Sequence, residues 1–248
     1  MNSTAATNST FGIWILMPWL VGLAAVALIR AVFLYDDALV PAPQMAENPV
    51  MFPDGTALNI QKYEVTVAEW NICHAAGACT LNLRVAKNRT ESEMPATGLS
   101  YLDVSQYLAW INKATDQKFR LPTIQEWKFM AAEVLPDTPD PIFTDPQLSW
   151  ASSYLLEPQT KRTLMPQGAF ATTSQGIVDL NGSVWEWTAD CYSGASKRAA
   201  NNCPAYFVGG EHIAAVPYLV HDPARGGCAV GVPPAHLGMR LVHVKLSH

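Results

Sequence analysis

From Phe11 to Ile29 nineteen residues pass without a charge, and beyond Arg30 the apolar run resumes from Ala31 to Leu34. At about 1.5 Å per helical residue, such a run spans the ~30 Å hydrocarbon core of a bilayer. A cleavable signal peptide would open on a basic stretch and hold a shorter apolar core, whereas MNSTAATNST has neither Lys nor Arg. A core helix would keep one polar face, and here only Gly12, Trp14, Pro18 and Trp19 interrupt a segment apolar all round. The expectation is a retained transmembrane helix, about residues 11–34, in an N-terminal segment 1–35. Trp14, Trp19 and Tyr35 suit interfacial placement.

The rest of the chain is read with that segment set aside. The stretch 36–53, rich in Pro and Ala and without periodicity, reads as an extended tether, and 54–248 as the folded domain. Roughly 200 residues suffice for one domain with a sizeable core. Hydrophobic residues make up 49% and charged residues 15% of the chain, which excludes disorder. A net charge of -5 excludes a basic nucleic-acid binder. Eighteen Pro and fifteen Gly, scattered without a period, argue against a helical bundle and for short elements joined by loops.

Three places carry a hydroxyl residue followed three positions on by an acid, the signature of a helix N-terminus: Thr66-Val-Ala-Glu69, Ser100-Tyr-Leu-Asp103 and Thr123-Ile-Gln-Glu126. Three short helices are expected there, with Trp70, Trp110 and Trp127 as core anchors one or two turns in. From Leu135 to Pro166 no element is expected. Residues 176–187, 224–230 and 238–245 alternate or run apolar and read as short strands.

Five cysteines remain to be placed. Cys73 with Cys79 and Cys191 with Cys203 form two local pairs, each bracketing a short loop, with Cys228 left over. Two loop-stapling disulfides would put the domain in an oxidising compartment. Zinc is the competing reading, although neither spacing falls between C-x2-C and C-x4-C. Arg30 at the far end of the apolar run barely informs orientation, so the cysteines decide it: a single-pass membrane protein with its domain on the periplasmic or exoplasmic side.

The most specific string is Gly176-Ile-Val-Asp-Leu-Asn-Gly-Ser-Val-Trp-Glu-Trp-Thr188. It stands in order with Tyr63-Glu-Val-Thr-Val67, Lys118-Phe-Arg-Leu-Pro-Thr-Ile-Gln-Glu-Trp127, Arg225-Gly-Gly-Cys228 and Leu237-Gly-Met-Arg-Leu241. Together these resemble the formylglycine-generating enzymes, or sulfatase-modifying factors, over roughly residues 59–245. The resemblance implies an α+β, C-type-lectin-like fold with little regular secondary structure.

It also implies a structural calcium ion held by Asp179, Gly182, Val184 and Glu186, two through carboxylates and two through backbone carbonyls. Calcium takes six to eight oxygens, and residues 182, 184 and 186 of an extended loop present theirs to one side. The competing reading is a strand with Glu186 solvated.

At the catalytic segment the chain departs from the family pattern. Cys228 stands where the resemblance places a Ser, Gly231 where it places the first catalytic Cys, and eight residues, Ala229 to His236, replace a long Arg- and Tyr-rich segment. A copper(I) site of two thiolates needs a second soft ligand, so copper is not expected and no catalytic residue is assigned beyond the remnant Cys228. Cys228 with His221 and His236 could form another metal site, against the plainer reading of a buried small hydrophobe and two surface imidazoles. No serine nucleophile elbow, phosphate-binding glycine loop or HExxH is present.

The expectation is a membrane-anchored, non-catalytic domain that binds a protein partner as a subunit of a membrane complex or as a maturation factor for an exported protein. The alternative is a metal-dependent oxidoreductase acting on a protein cysteine.

Overall fold

Each of the three expected helices begins where its capping signature stands. The computed structural model describes residues 40–135, 163–192, 203–211, 213–222 and 236–244. The expected membrane helix, residues 36–39 of the expected tether, the expected strand 224–230 and Cys228 lie outside them; within the rest of that tether, Met45 bridges Gln61 and Val50–Met51 form strand. Among the described residues no helix is long and apolar enough to cross a membrane.

Helix α1 (Val67–Ala75), α2 (Tyr101–Thr115) and α3 (Ile124–Ala131) all open on complete capping boxes. At α1, for example, the Glu69 amide donates to Thr66 Oγ1 at 3.2 Å and the Thr66 amide to Glu69 Oε2 at 2.7 Å. Such reciprocal pairs satisfy two amides that no helical carbonyl can reach. Buried side chains recur at helical spacing: Val67, Trp70 and Cys73 on α1; Val104, Tyr107 and Ile111 on α2; Trp127, Met130 and Ala131 on α3. Trp70 and Trp127 are fully buried, as expected of anchors. Trp110 is only partly buried and leans on Tyr107. The Asn112 carboxamide accepts from and donates to the Phe119 backbone, fixing the turn after α2.

The strands form two sheets. β1 (Val50–Met51), β2 (Ala57–Ile60) and β7 (Val242–Val244) make an antiparallel sheet in that order, with Ile60 opposite Val242. β5 (Ile213–Pro217), β4 (Ala205–Gly209), β3 (Trp185–Tyr192) and β6 (Leu237–Gly238) make the second, in which β3 and β6 run parallel and the other pairs antiparallel. Between Trp187 and Cys191 the β3–β4 register slips. There the Ala189 amide turns to Pro122 O, and Asp190 Oδ2 accepts the Ile124 amide, one of the unpaired amides at the N-terminus of α3.

Two strand expectations need correction. Residues 176–184, expected as strand, are irregular apart from one isolated bridge at Val178, and continuous strand begins only at Trp185. The stretch 238–245 is split, because Met239 to Leu241 leave β6 to reach Gln61 and Val65 before β7 begins. Strands β1, β2, β4 and β5 were not anticipated.

The core gathers Leu58, Ile60 and Val242 from the first sheet, Trp127 and Met130 from α3, and Ile177 and Leu180 from the loop before β3. Burying each such side chain contributes about 1.5–3 kcal/mol. Contacts divide the chain after Val40, and residues 41–248 form the unit described above. The arrangement is a mixed α+β fold with few helices.

Candidate functional site

Between Met165 and Thr188 the chain folds into a hairpin-like loop before becoming β3. Thr172 and Val178 bridge, Gly176 turns the tip with φ +87°, and Asp179 adopts the left-handed conformation at φ +66°. A non-glycine residue there is uncommon, Asp being among the better tolerated. The Asp179 carboxylate accepts from the Phe170 amide at 2.8 Å and, through Oδ2, from the Gly168 amide at shorter range. Asn181 Oδ1 accepts the Ala171 amide, and the Gly182 amide donates to Asp179 O. Gly182 is required, because a Cβ there would lie 2.7 Å from that carbonyl.

Glu186 is 1% exposed, so the solvated alternative is excluded. Its carboxylate faces Arg240: Nε donates to Oε1 and Oε2 at 3.0 and 3.3 Å, and Nη2 to Oε1 at 2.8 Å. Trp127 Nε1 donates to Oε2 at 2.9 Å. Arg240, 0% exposed, also reaches Gln61 O and Lys62 O through Nη1 and Val178 O through Nη2.

Glu64, 2% exposed, lies 3.6 Å from Nη2, and its Oε2 has no hydrogen-bond partner. Burial pushes its carboxyl up to about 8, against the attraction of Arg240. Burial also works against the charge of Arg240, yet Glu186 and Glu64 hold its pKa above the ordinary value.

The two expected calcium carboxylates have protein partners of their own. The Asp179 carboxylate is turned to loop amides, and that of Glu186 to a guanidinium and an indole. Among the described residues no three His, Cys, Asp or Glu side chains form a group that could hold a metal.

The cysteines are paired as the local spacing suggested, Cys73 with Cys79 and Cys191 with Cys203. Zinc at these four positions is thereby excluded. The first pair closes the turn after α1, where Gly77 has φ +72°. Denatured, unreduced protein is expected to show one reactive thiol on labelling and mass mapping, that of Cys228; three or five would refute the pairing.

His221 Nδ1 lies 3.1 Å from Gly98 O and 3.3 Å from Asp103 Oδ2. His236 O accepts the Trp185 amide, placing that residue at the entry to β6. The described residues thus tie His221 to Asp103 of α2, while Cys228 lies outside them.

Residues 33–245 match the sulfatase-modifying factor enzyme 1-like domain. The chain belongs to this family. Within the sulfatase-modifying factor family it is similar to inactive C-alpha-formylglycine-generating enzyme 2 of Mus musculus, with 29% identity over 129 residues, 44% of this chain and 36% of that protein. The Bos taurus protein of the same name is 30% identical over 129 residues, 44% of this chain and 37% of its own length. The match thus spans little more than a third of these relatives.

Two solved structures share the fold. PvdO from Pseudomonas aeruginosa has a TM-score of 0.51 at 17% identity, covering 82% of this chain and 90% of that one. CarF has a TM-score of 0.52 at 14% identity, covering 83% and 99%.

Sequence reasoning missed the Arg240–Glu186 pair and the part of Glu64 beside it. All three residues lie in quoted motifs, but their chemistry emerges only when positions far apart in the chain meet. A signal was available in the acid at position 64 of an otherwise apolar strand-like string.

Proposed function

We propose that this sulfatase-modifying factor domain is non-catalytic. It is held at a membrane by the segment 11–34, faces the periplasmic or another exoplasmic space, and serves as an accessory subunit of a membrane complex or a maturation factor for an exported protein. The observation that carries the reading is the cysteine inventory. Four of five cysteines are bonded to one another, and the eight residues from Ala229 to His236 contain none. One remaining thiol cannot supply a two-thiolate copper(I) centre, and two curated relatives similar to this chain are themselves named inactive. What persists is a rigid scaffold and its surface, and function in such a fold is carried by the site rather than the scaffold.

With copper(I) and a cysteine-containing sulfatase-type peptide, the purified protein is expected to take up no oxygen, and Cys228→Ser is expected to leave its biological role intact. Peptide-dependent oxygen uptake that Cys228→Ser abolishes would establish the alternative, a metal-dependent oxidoreductase acting on a protein cysteine. Extraction in mild detergent tests the subunit role. A stoichiometric membrane partner supports it, and a homogeneous monomer favours a transiently acting maturation factor.

A further inference from the structure

We infer that Arg240 is the resident cation of the 176–188 loop: its guanidinium closes the loop from within, and the domain holds this segment together without calcium. The inference is independent of the functional reading above. Calcium shells are built of carboxylate and carbonyl oxygens, and Arg240 has collected that kind of set. It binds the Glu186 carboxylate and the carbonyls of Gln61, Lys62 and Val178, at 2.6 to 3.3 Å. A guanidinium has five N–H donors, and here each finds an acceptor. The planar fork matches a carboxylate in a way a point charge does not.

The acceptors are equally occupied. Glu186 Oε1 receives Nε and Nη2, while Oε2 receives Trp127 Nε1 and a share of Nε. Asp179, the second expected carboxylate, is spent on the Gly168 and Phe170 amides, which fold the loop back on itself. A divalent ion reaching Glu186 would displace these bonds and stand beside a fully buried positive charge. The ion pair also spans the loop at both ends, since Val178 lies at its start and Glu186 in the strand it feeds.

The test uses the full chain purified in detergent. Chelator is expected to leave the melting temperature unchanged, and excess calcium to leave it unchanged again. Glu186→Gln keeps an acceptor oxygen and loses the charge; it is expected to lower the melting temperature equally in chelator and in calcium. Should that variant fail to fold, Asp179→Asn gives the second reading, again with no calcium-dependent difference. A wild-type melting temperature that falls with chelator, recovers with calcium and loses this response in Glu186→Gln or Asp179→Asn would overturn the inference. A calcium response untouched by both variants would place the ion elsewhere and leave the guanidinium as the closure of this loop.

Discussion

Gly209→Ala is expected to abolish or nearly abolish folding, at a cost of about 3 kcal/mol or more, the upper end of what overpacking a core produces. Gly209 ends β4, opposite Glu186 on one side and Ile213 on the other. A methyl group there would lie 2.5 Å from Cε2 and Cε3 of Trp127 and closer still to Cδ2. Neither party can yield. The indole is fully buried and pinned through Nε1 to Glu186, and the strand is held in register on both edges. The adjacent Gly210 meets Trp185 in the same manner, with Cδ2 at 2.5 Å and Cε2 at 2.7 Å.

Against a total stability of roughly 5–15 kcal/mol, either substitution is severe. Urea unfolding of Gly209→Ala, Trp127→Leu and the double variant separates the causes. If the indole face is the obstacle, Gly209→Ala costs much less in the Trp127→Leu background. An equal cost in both backgrounds would show that the backbone, not the ring, demands glycine.

The second large effect is on pH dependence. Glu64 titrates near 8 in the folded protein, against a usual 4.5, chiefly because burial disfavours its charge. Between those values the folded chain keeps a proton that the unfolded chain releases. The contribution of this carboxyl to stability is therefore fully present below about 4.5 and is lost as pH rises through about 8. In that window the slope from one such group approaches ~1.4 kcal/mol per pH unit. Glu69, also raised by burial, adds in the same direction.

Wild type minus Glu64→Gln isolates the term, since the amide keeps an oxygen for Arg240 and cannot ionise. The variant is expected to match wild type near pH 5 and to melt several degrees higher at pH 8. Parallel curves across the range would show that Glu64 is ionised throughout and paired with Arg240 as a full salt bridge.

The three helix starts were legible because a capping box is local, a hydroxyl and an acid three residues apart doing all the work at Thr66, Ser100 and Thr123. The disulfides were legible for the same reason, six and twelve residues separating their partners. The hairpin of β4 and β5 was missed, although Gly209 and Gly210 between two apolar stretches are a turn signal. Its strands are only five residues each, and half their side chains are in partial contact with solvent. The loop after Gly176 looked like a strand because its apolar residues Ile177, Val178 and Leu180 are buried. They reach the core from an irregular loop, which hydrophobic content alone does not distinguish from strand. The environment of Glu186 could not be read locally, since Arg240 is 54 residues away and the carbonyls Arg240 holds at Gln61 and Lys62 are 179 and 178 away.

Those separations govern how the chain is made. Arg240, Leu241 and β7 dock onto Gln61, Lys62 and β2, so the last strand supplies what the first sheet lacks. During synthesis, the segment around Gln61 waits for nearly the whole domain before its partner emerges, and closing so long a loop is slow. Until then Glu64 and Glu186 lack the guanidinium that faces them in the folded domain. The Cys73–Cys79 staple can form early, because both cysteines arrive together. A growing chain of this kind cannot close the cluster around Arg240 until residues 237–244 have emerged, so this part of its interior is assembled late.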